Sequence, residues 1–353
     1  MLRSGHSARL LATAAAAASL LAAAFLSPAY AGTLIVLNKA EATASLIDPA
    51  TGATRATLPT GTGPHEVDVA PDGVLAVVTD YGTADAPGKT LTVIDVPGRR
   101  VVRTIDLGAH RRPHGVAWLR DGRHALVTAE ESRSLLKVDV TEGKIVAVIA
   151  TAQDVSHMVA VTPDGARAFV ANIGSGTVTA VDLAKGETIR SVATGAGAEG
   201  IAVTPDGAHV WITNRSADTV TVLDAGSLAI VGSIASASFP IRVKITPDGR
   251  HALVSNARSG EVAVFDAATR AEVRRIPMKL ETAGTEGRLF GATFGDSPVP
   301  IGILIRPDGK VAWVANANAD RVAVLDLEAW KVVGAVAAGK EPDGLGWSEG
   351  GAP

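Results

Sequence analysis

Short apolar runs alternate with polar turns along most of this chain, and one combination of the two keeps returning. In Gly63-Pro64-His65-Glu66-Val67-Asp68-Val69-Ala70-Pro71-Asp72-Gly73 the apolar Val67 and Val69 alternate with polar neighbours ahead of a Pro-Asp-Gly turn. The turn recurs as Arg120-Asp121-Gly122, Pro163-Asp164-Gly165, Pro205-Asp206-Gly207, Pro247-Asp248-Gly249 and Pro307-Asp308-Gly309. Period-two alternation reads as a strand facing a core on one side. Proline sets φ early in a tight turn and glycine accepts positive φ late, so each site predicts a hairpin.

The spacing decides the architecture. Asp164, Asp206 and Asp248 recur at roughly forty residues, with longer steps from Asp72 to Asp121 and from Asp248 to Asp308 that mark insertions. Each unit reads as four short strands. The first is a run such as Ile201-Ala202-Val203, and the second one such as Val210-Trp211-Ile212-Thr213, followed by a loop opening on Asn172, Asn214, Asn256 or Asn316. The third ends in Asp48, Asp95, Asp139, Asp182, Asp224, Asp266 or Asp326, and a fourth such as Lys331–Val336 closes the unit. Because those seven carboxylates recur in every unit, they are expected to cap turns rather than to form a site.

The two ends are complementary. Gly32 to Gly61 supplies only the second, third and fourth strands of a unit, while Pro342-Asp343-Gly344-Leu345-Gly346-Trp347 aligns with Pro64–Val69 as a first strand. The last Pro-Asp-Gly therefore starts a strand instead of turning a hairpin. The prediction is an all-β, seven-bladed β-propeller of four-stranded antiparallel blades, a single domain over 32–353, closed by its C-terminal strand and leaving no long free edge.

Composition adds a compartment. Arg3 and Arg9, the apolar run Leu10–Leu26 and Ala29-Tyr30-Ala31 read as a cleaved signal peptide over residues 1–31, with a mature chain from Gly32 that is periplasmic or secreted. No later stretch is apolar enough for a membrane span. The chain has no cysteine, which excludes a lipidated Cys anchor, a covalent c-type haem and any thiolate metal site. A formal charge of −3, more acidic once Arg3 and Arg9 leave, gives no electrostatic footprint for nucleic acid. The chain is expected to be a monomer.

The units resemble the YVTN-type β-propeller repeat, most clearly in Phe169-Val170-Ala171-Asn172 and Trp313-Val314-Ala315-Asn316, and the resemblance runs from Gly32 to Trp347. It implies the fold but not one activity. Relatives of this kind include amine dehydrogenase subunits, lactonase-like and lyase-like enzymes, the haem domain of cytochrome d1-type nitrite reductases and nitrous oxide reductase. Members described as DNA-binding keep nucleic acid among the candidate partners.

In a repeat protein, function should show where repeats differ at matched positions. The residue four before the last apolar residue of each first strand is His65, His114, His157, Glu199, Ile241, Ile301 and Asp343. These residues are expected where the innermost strands begin, at one mouth of the central channel. Three imidazoles with carboxylates suit one divalent transition metal, Zn²⁺, Cu²⁺ or Fe²⁺, so the metal candidates are His65, His114, His157, Glu199 and Asp343. The nitrous oxide reductase propeller similarly mounts histidines at strand starts but uses more of them, and Glu199 and Asp343 depart from that pattern. A mononuclear site or a polar ligand pocket is therefore expected here, with Tyr81 and Arg242 as further pocket residues.

Two insertions fall on the same mouth, a loop over Asp80–Lys89 and a longer segment Lys279–Pro300 containing Arg288, Phe290 and Phe294. His110, Arg111 and Arg112 form a small basic rim, while His124, His209 and His251 follow hairpin turns on the opposite face. Gly195-Ala196-Gly197 lies in an interblade loop, and no serine sits in a nucleophile elbow. The leading expectation is a binding module for a metal or small ligand. The alternatives are a metal-dependent hydrolase or lyase with Glu199 as base, and a scaffold for protein or nucleic acid whose histidines are repeat relics.

Overall fold

The computed structural model describes residues 32–284, 286–288 and 290–350; the leader expected over 1–31 lies outside them. Seven four-stranded antiparallel sheets make up the ring. Blades 2 to 7 each use four consecutive strands, with innermost strands Pro64–Val69, Pro113–Trp118, Ser156–Val161, Ala198–Val203, Pro240–Ile245 and Pro300–Ile305. Blade 1 is shared between the two ends of the chain. Its innermost strand is Pro342–Ser348, which pairs antiparallel with Thr33–Asn38 and sets Leu34 opposite Trp347 and Val36 opposite Leu345. The Ser348 hydroxyl donates to the Gly73 carbonyl at 2.6 Å, tying this seam to blade 2.

The turn chemistry follows the sequence. The glycines of the six hairpins, such as Gly73 at φ 75° and Gly165 at φ 72°, are left-handed, and Asp72 and Asp164 accept the N–H of Val74 and Ala166 at 2.9 Å. All seven third-strand aspartates accept backbone N–H groups of the turn that follows, as Asp266 does from Thr269 at 2.7 Å. The recurrent asparagines end the second strand rather than open a loop; Asn172 Nδ2 reaches the Thr177 and Thr179 hydroxyls at 3.1 and 3.0 Å.

The core lies between blades, not within them. Seven buried apolar layers each join two neighbours, so that Phe169 and Ile212 share the layer of blades 4 and 5, and Trp211 and Phe265 that of blades 5 and 6. Burying each such side chain contributes roughly 1.5–3 kcal/mol. Closure of the ring follows, because every blade needs a neighbour on both sides to cover its two faces.

A hydroxyl latch supplements the apolar layers near the channel. Thr79, Thr128, Thr213 and Ser255 on second strands each donate to the carbonyl at the second position of the next blade's inner strand, at 2.7, 2.6, 3.1 and 2.7 Å. The same four oxygens accept the N–H of Glu66, Gly115, Gly200 and Arg242 in their own blade. Blades come so close here that a Cβ on Gly115 would lie 2.7 Å from the His157 carbonyl oxygen.

The first insertion departs from expectation. Leu75–Gly82 and Pro87–Asp95 are both strands, so the expected loop Asp80–Lys89 is mostly an extension of the blade 2 hairpin, turned at Thr83–Ala86. The second insertion packs down as a cap. Arg288 pairs with Asp320 at 2.7 Å, a 3₁₀ turn spans Gly291–Phe294, and Ser297 Oγ donates to the Ala257 carbonyl at 2.6 Å. Among the described residues no helix is long and apolar enough to cross a membrane.

Candidate metal centre

Each inner strand starts with an irregular pairing. Its register slips around the second and third residues, for instance between Pro64 and Val67, Pro113 and Val116, and Ala198 and Ile201. A bulge of this kind releases side chains from strict alternation and re-aims them. Here it turns the second residues of neighbouring blades toward one another at the channel mouth.

His65, His114 and His157 come together as a column of imidazoles. Ring centroids of His65 and His114 are 3.9 Å apart, and those of His114 and His157 are 3.4 Å apart. His114 is fully buried, and neither of its ring nitrogens has a hydrogen-bond partner among the described residues. The outer two rings are engaged. Lys39 Nζ lies 2.8 Å from His65 Nε2, and Asp343 Oδ2 lies 3.1 Å from His65 Nδ1. His157 Nδ1 is 2.6 Å from Glu130 Oε1, while its Nε2 is 3.5 Å from Glu199 Oε1. The Tyr81 hydroxyl donates to Glu130 Oε2 at 2.6 Å, and the Tyr81 ring stands edge-on to His65 and His114.

These contacts set the protonation. Burial, reinforced by the Lys39 and Arg242 charges, pulls His65 well below its ordinary range; burial and the adjoining imidazoles do the same to His114. His157 moves the other way, because its bonds to Glu130 and Glu199 outweigh desolvation. Burial works to raise Glu199, yet His157, Arg215 and Arg242 hold it down at about 2. Burial pushes Asp343 up to about 6 against the pull of Lys39 and Arg242. Burial thus favours the neutral forms of His65 and Asp343, whereas the hydrogen bonds of His157 to Glu130 and Glu199 favour its charged form.

An ion pair crosses the channel beside the column. Arg242 of blade 6 reaches Glu66 of blade 2 at 2.5 Å and Glu199 of blade 5 at 3.2 Å, and Arg215 adds a second contact to Glu199 at 2.8 Å. Two trios keep donor atoms within 4.8 Å of one another: His65, Glu66 and His114, and His114, Glu130 and His157. His114 belongs to both. Nitrogen and oxygen donors of this kind suit Zn²⁺, Cu²⁺ or Fe²⁺.

All five residues put forward as metal ligands from the sequence meet at this mouth, and Tyr81 and Arg242 meet there with them. They differ in engagement: Glu199 is spanned by two arginines and Asp343 by Lys39 and His65. The sequence reading missed Lys39, Glu66, Glu130 and Arg215. Ile241 and Ile301 fill the other half of the mouth, buried with Phe294, Val299, Ala257 and Ala317 under the cap. In the basic rim, Arg112 covers the Tyr81 ring at 5.1 Å and pairs with Glu131, and His110 meets Ser132 Oγ at 2.9 Å. On the opposite face His124 pairs with Asp121, and His251 packs against Trp330.

Comparison with known proteins agrees with the architecture. Residues 124–286 match the model of a family described as YNCE-like beta-propeller. No curated protein matches the chain. Among solved structures, the hydrazine synthase of Kuenenia stuttgartiensis aligns with TM-score 0.68 at 20% identity, over 80% of this chain and 88% of that one. A functionally unknown protein from Desulfotomaculum acetoxidans aligns with TM-score 0.72 at 17% identity, over 89% of this chain and 98% of that one. At such identities the likeness is one of fold. The chain is a seven-bladed β-propeller whose residues 124–286 are similar to the YNCE-like beta-propeller family.

Proposed function

We propose that this propeller is an exported metal-binding module that holds one divalent transition metal at its channel mouth, through His114, His157 and Glu130. The observation that carries the reading is His114. An imidazole with no exposure and two unpartnered nitrogens forfeits roughly 1–3 kcal/mol for each buried polar atom left unsatisfied. A cation bonded to one nitrogen turns that cost into a gain, and donors from Glu130 and His157 already surround it. The ion takes the place of the proton that His157 and Glu130 share, so uptake releases that proton. Tyr81 on Glu130 then acts as an outer support that fixes the carboxylate's orientation, a common arrangement around metal ligands.

The burial of the three imidazoles, each 9% exposed or less, favours an ion or a water-sized ligand over a bulky substrate. Glu199, tied to Arg215 and Arg242 and held at a pKa of about 2, makes a weak proton acceptor, so the proposal gives it an anchoring role. Asp343 orients His65 in the same way. Export rests on the basic, apolar and Ala29-Tyr30-Ala31 segments of the leader, and fractionation of cells producing the full chain tests it.

The deciding experiment is elemental analysis of untagged protein beside a His114→Ala/His157→Ala variant. Near one metal per chain, lost in a variant that keeps the wild-type circular dichroism spectrum, is the expected result. Equal metal content in both proteins, or none in either after loading with Zn²⁺, overturns the proposal.

A further inference from the structure

The two donor trios at the mouth overlap through His114, yet they are not equivalent. Beside the trio of His114, Glu130 and His157, the closest contacts are acidic or uncharged: Glu199 on His157 and Tyr81 on Glu130. The trio of His65, Glu66 and His114 has cations of the chain's own, Arg242 on Glu66 at 2.5 Å and Lys39 on His65. Lys39, only 13% exposed, directs its ammonium at His65 Nε2 from 2.8 Å and lies 3.5 Å from Asp343 Oδ2. Lysine is a compact point charge with three donors and no acceptor, so it meets acceptor atoms as a metal ion does.

We propose that Lys39 fills the second of two overlapping cation positions, so that the centre holds one divalent ion and becomes a two-ion centre bridged by His114 when Lys39 is made neutral. This deepens the metal-centre reading and rests on it. The charge at the mouth favours the same stoichiometry. Once the first ion has displaced the His157 proton, Glu66, Glu130, Glu199 and Asp343 face Lys39, Arg215 and Arg242, an excess of one negative charge. One divalent ion reverses that sign. A second would add to an already positive, desolvated mouth, where like charges a few ångströms apart repel strongly. Replacing Lys39 by methionine removes both the occupant of the position and one of the opposing charges, and leaves a side chain of similar length. The ligand class is again a divalent transition metal, now as a pair, with His65 and Glu66 supplying the added donors and the two nitrogens of His114 facing one ion each as an imidazolate, so that uptake of the second ion releases the remaining ring proton to solvent.

The test loads wild type, Lys39→Met and Lys39→Arg with Co²⁺, removes loose metal by gel filtration, and reads cobalt per chain together with the electron paramagnetic resonance spectrum. Expected are one cobalt in wild type, one in Lys39→Arg, and two in Lys39→Met with magnetic coupling between them. Adding His114→Ala to Lys39→Met should abolish the coupling. One uncoupled cobalt in Lys39→Met, the same as wild type, overturns the role of Lys39 while leaving the metal centre standing. No cobalt in any of the proteins overturns both. No cobalt in wild type but one in Lys39→Met removes the native centre and keeps Lys39 as the occupant of a cation position. Lys39→Gln gives the same readings should the methionine variant fail to fold.

Discussion

Replacing Asp80 by asparagine should stabilise this protein at neutral pH and leave it nearly unchanged in acid. Asp80 is 1% exposed, stands where other blades carry Asn38, Asn172, Asn214, Asn256 and Asn316, and has no cationic partner among the described residues. It accepts hydrogen bonds from the Gly61 N–H at 3.0 Å and from the hydroxyls of Thr90 at 2.8 Å and Thr92 at 3.0 Å. Burial still outweighs those bonds and pushes its pKa from 3.8 up to about 6. The sign follows from linkage. The unfolded chain gives up this proton near pH 4 and the folded chain near pH 6, so the stability present below pH 4 is lost as pH rises through 6. Two pH units at about 1.4 kcal/mol each amount to roughly 3 kcal/mol at pH 8. The asparagine oxygen keeps the Gly61 bond and its amide donates to hydroxyls that rotate to accept, as Asn172 already does toward Thr177 and Thr179. For a chain of this size the gain corresponds to about 4–5 °C in Tm at pH 8, shrinking to near zero at pH 4. Urea denaturation of both proteins from pH 4 to pH 8 measures it, because groups common to the two cancel in the difference. A difference that stays flat between pH 5 and pH 8, or an asparagine variant that is the weaker protein at pH 8, refutes the reasoning.

The latch and the channel ion pair give further tests. Thr128→Val strips one buried hydroxyl from both the Gly115 N–H and the His157 carbonyl; it should cost about 2–4 kcal/mol in urea denaturation and weaken metal uptake, and Thr128→Ser should restore both. Arg242→Met leaves the buried Glu199 and the part-buried Glu66 without their shared partner and should cost about 3–5 kcal/mol, whereas adding Glu66→Gln and Glu199→Gln to it should recover most of that loss. Should Arg242→Met alone prove neutral, the channel pair does not hold the mouth closed.

Much of this protein is legible in its sequence because a repeat states each rule several times. The strands, the hairpin glycines, the turn-capping aspartates and the seam at Pro342–Ser348 all follow from aligning one unit on the next. The same alignment brings out the slot of His65, His114, His157, Glu199 and Asp343, because these residues break the agreement between units. What it hides is anything that depends on one blade touching another. The hairpin extension around Tyr81 reads as loop, since Gly82, Pro87 and Gly88 are loop residues by propensity; in the fold they sit in strands whose tip lies against Arg112, which donates to the Ala84 carbonyl at 3.0 Å. The cap over Ile241 and Ile301 carries no period at all.

Yet a second register was present throughout. The residue that follows Asn38, Asp80, Ala129, Asn172, Asn214, Asn256 and Asn316 on or after the second strand is Lys39, Tyr81, Glu130, Ile173, Arg215, Ala257 and Ala317 in blades 1 to 7. Each of the first three meets the histidine of the blade that follows: Lys39 with His65, Tyr81 with His114 and Glu130 with His157. In blade 6 the small Ala257 accompanies Ile301 in the apolar half. The two slots match across four of the seven blade boundaries, polar beside polar at the three histidines and apolar beside apolar at Ala257 and Ile301, whereas Ile173 precedes Glu199, Arg215 precedes Ile241 and Ala317 precedes Asp343. That offset is invisible while units are compared only with themselves, because the partner of a residue in one unit lies in the next. It also explains why chemistry occupies only part of the ring: a site in such a fold is made of neighbouring pairs, so it grows as an arc. Here the arc runs from blade 1 to blade 5 and stops where Ile241 begins.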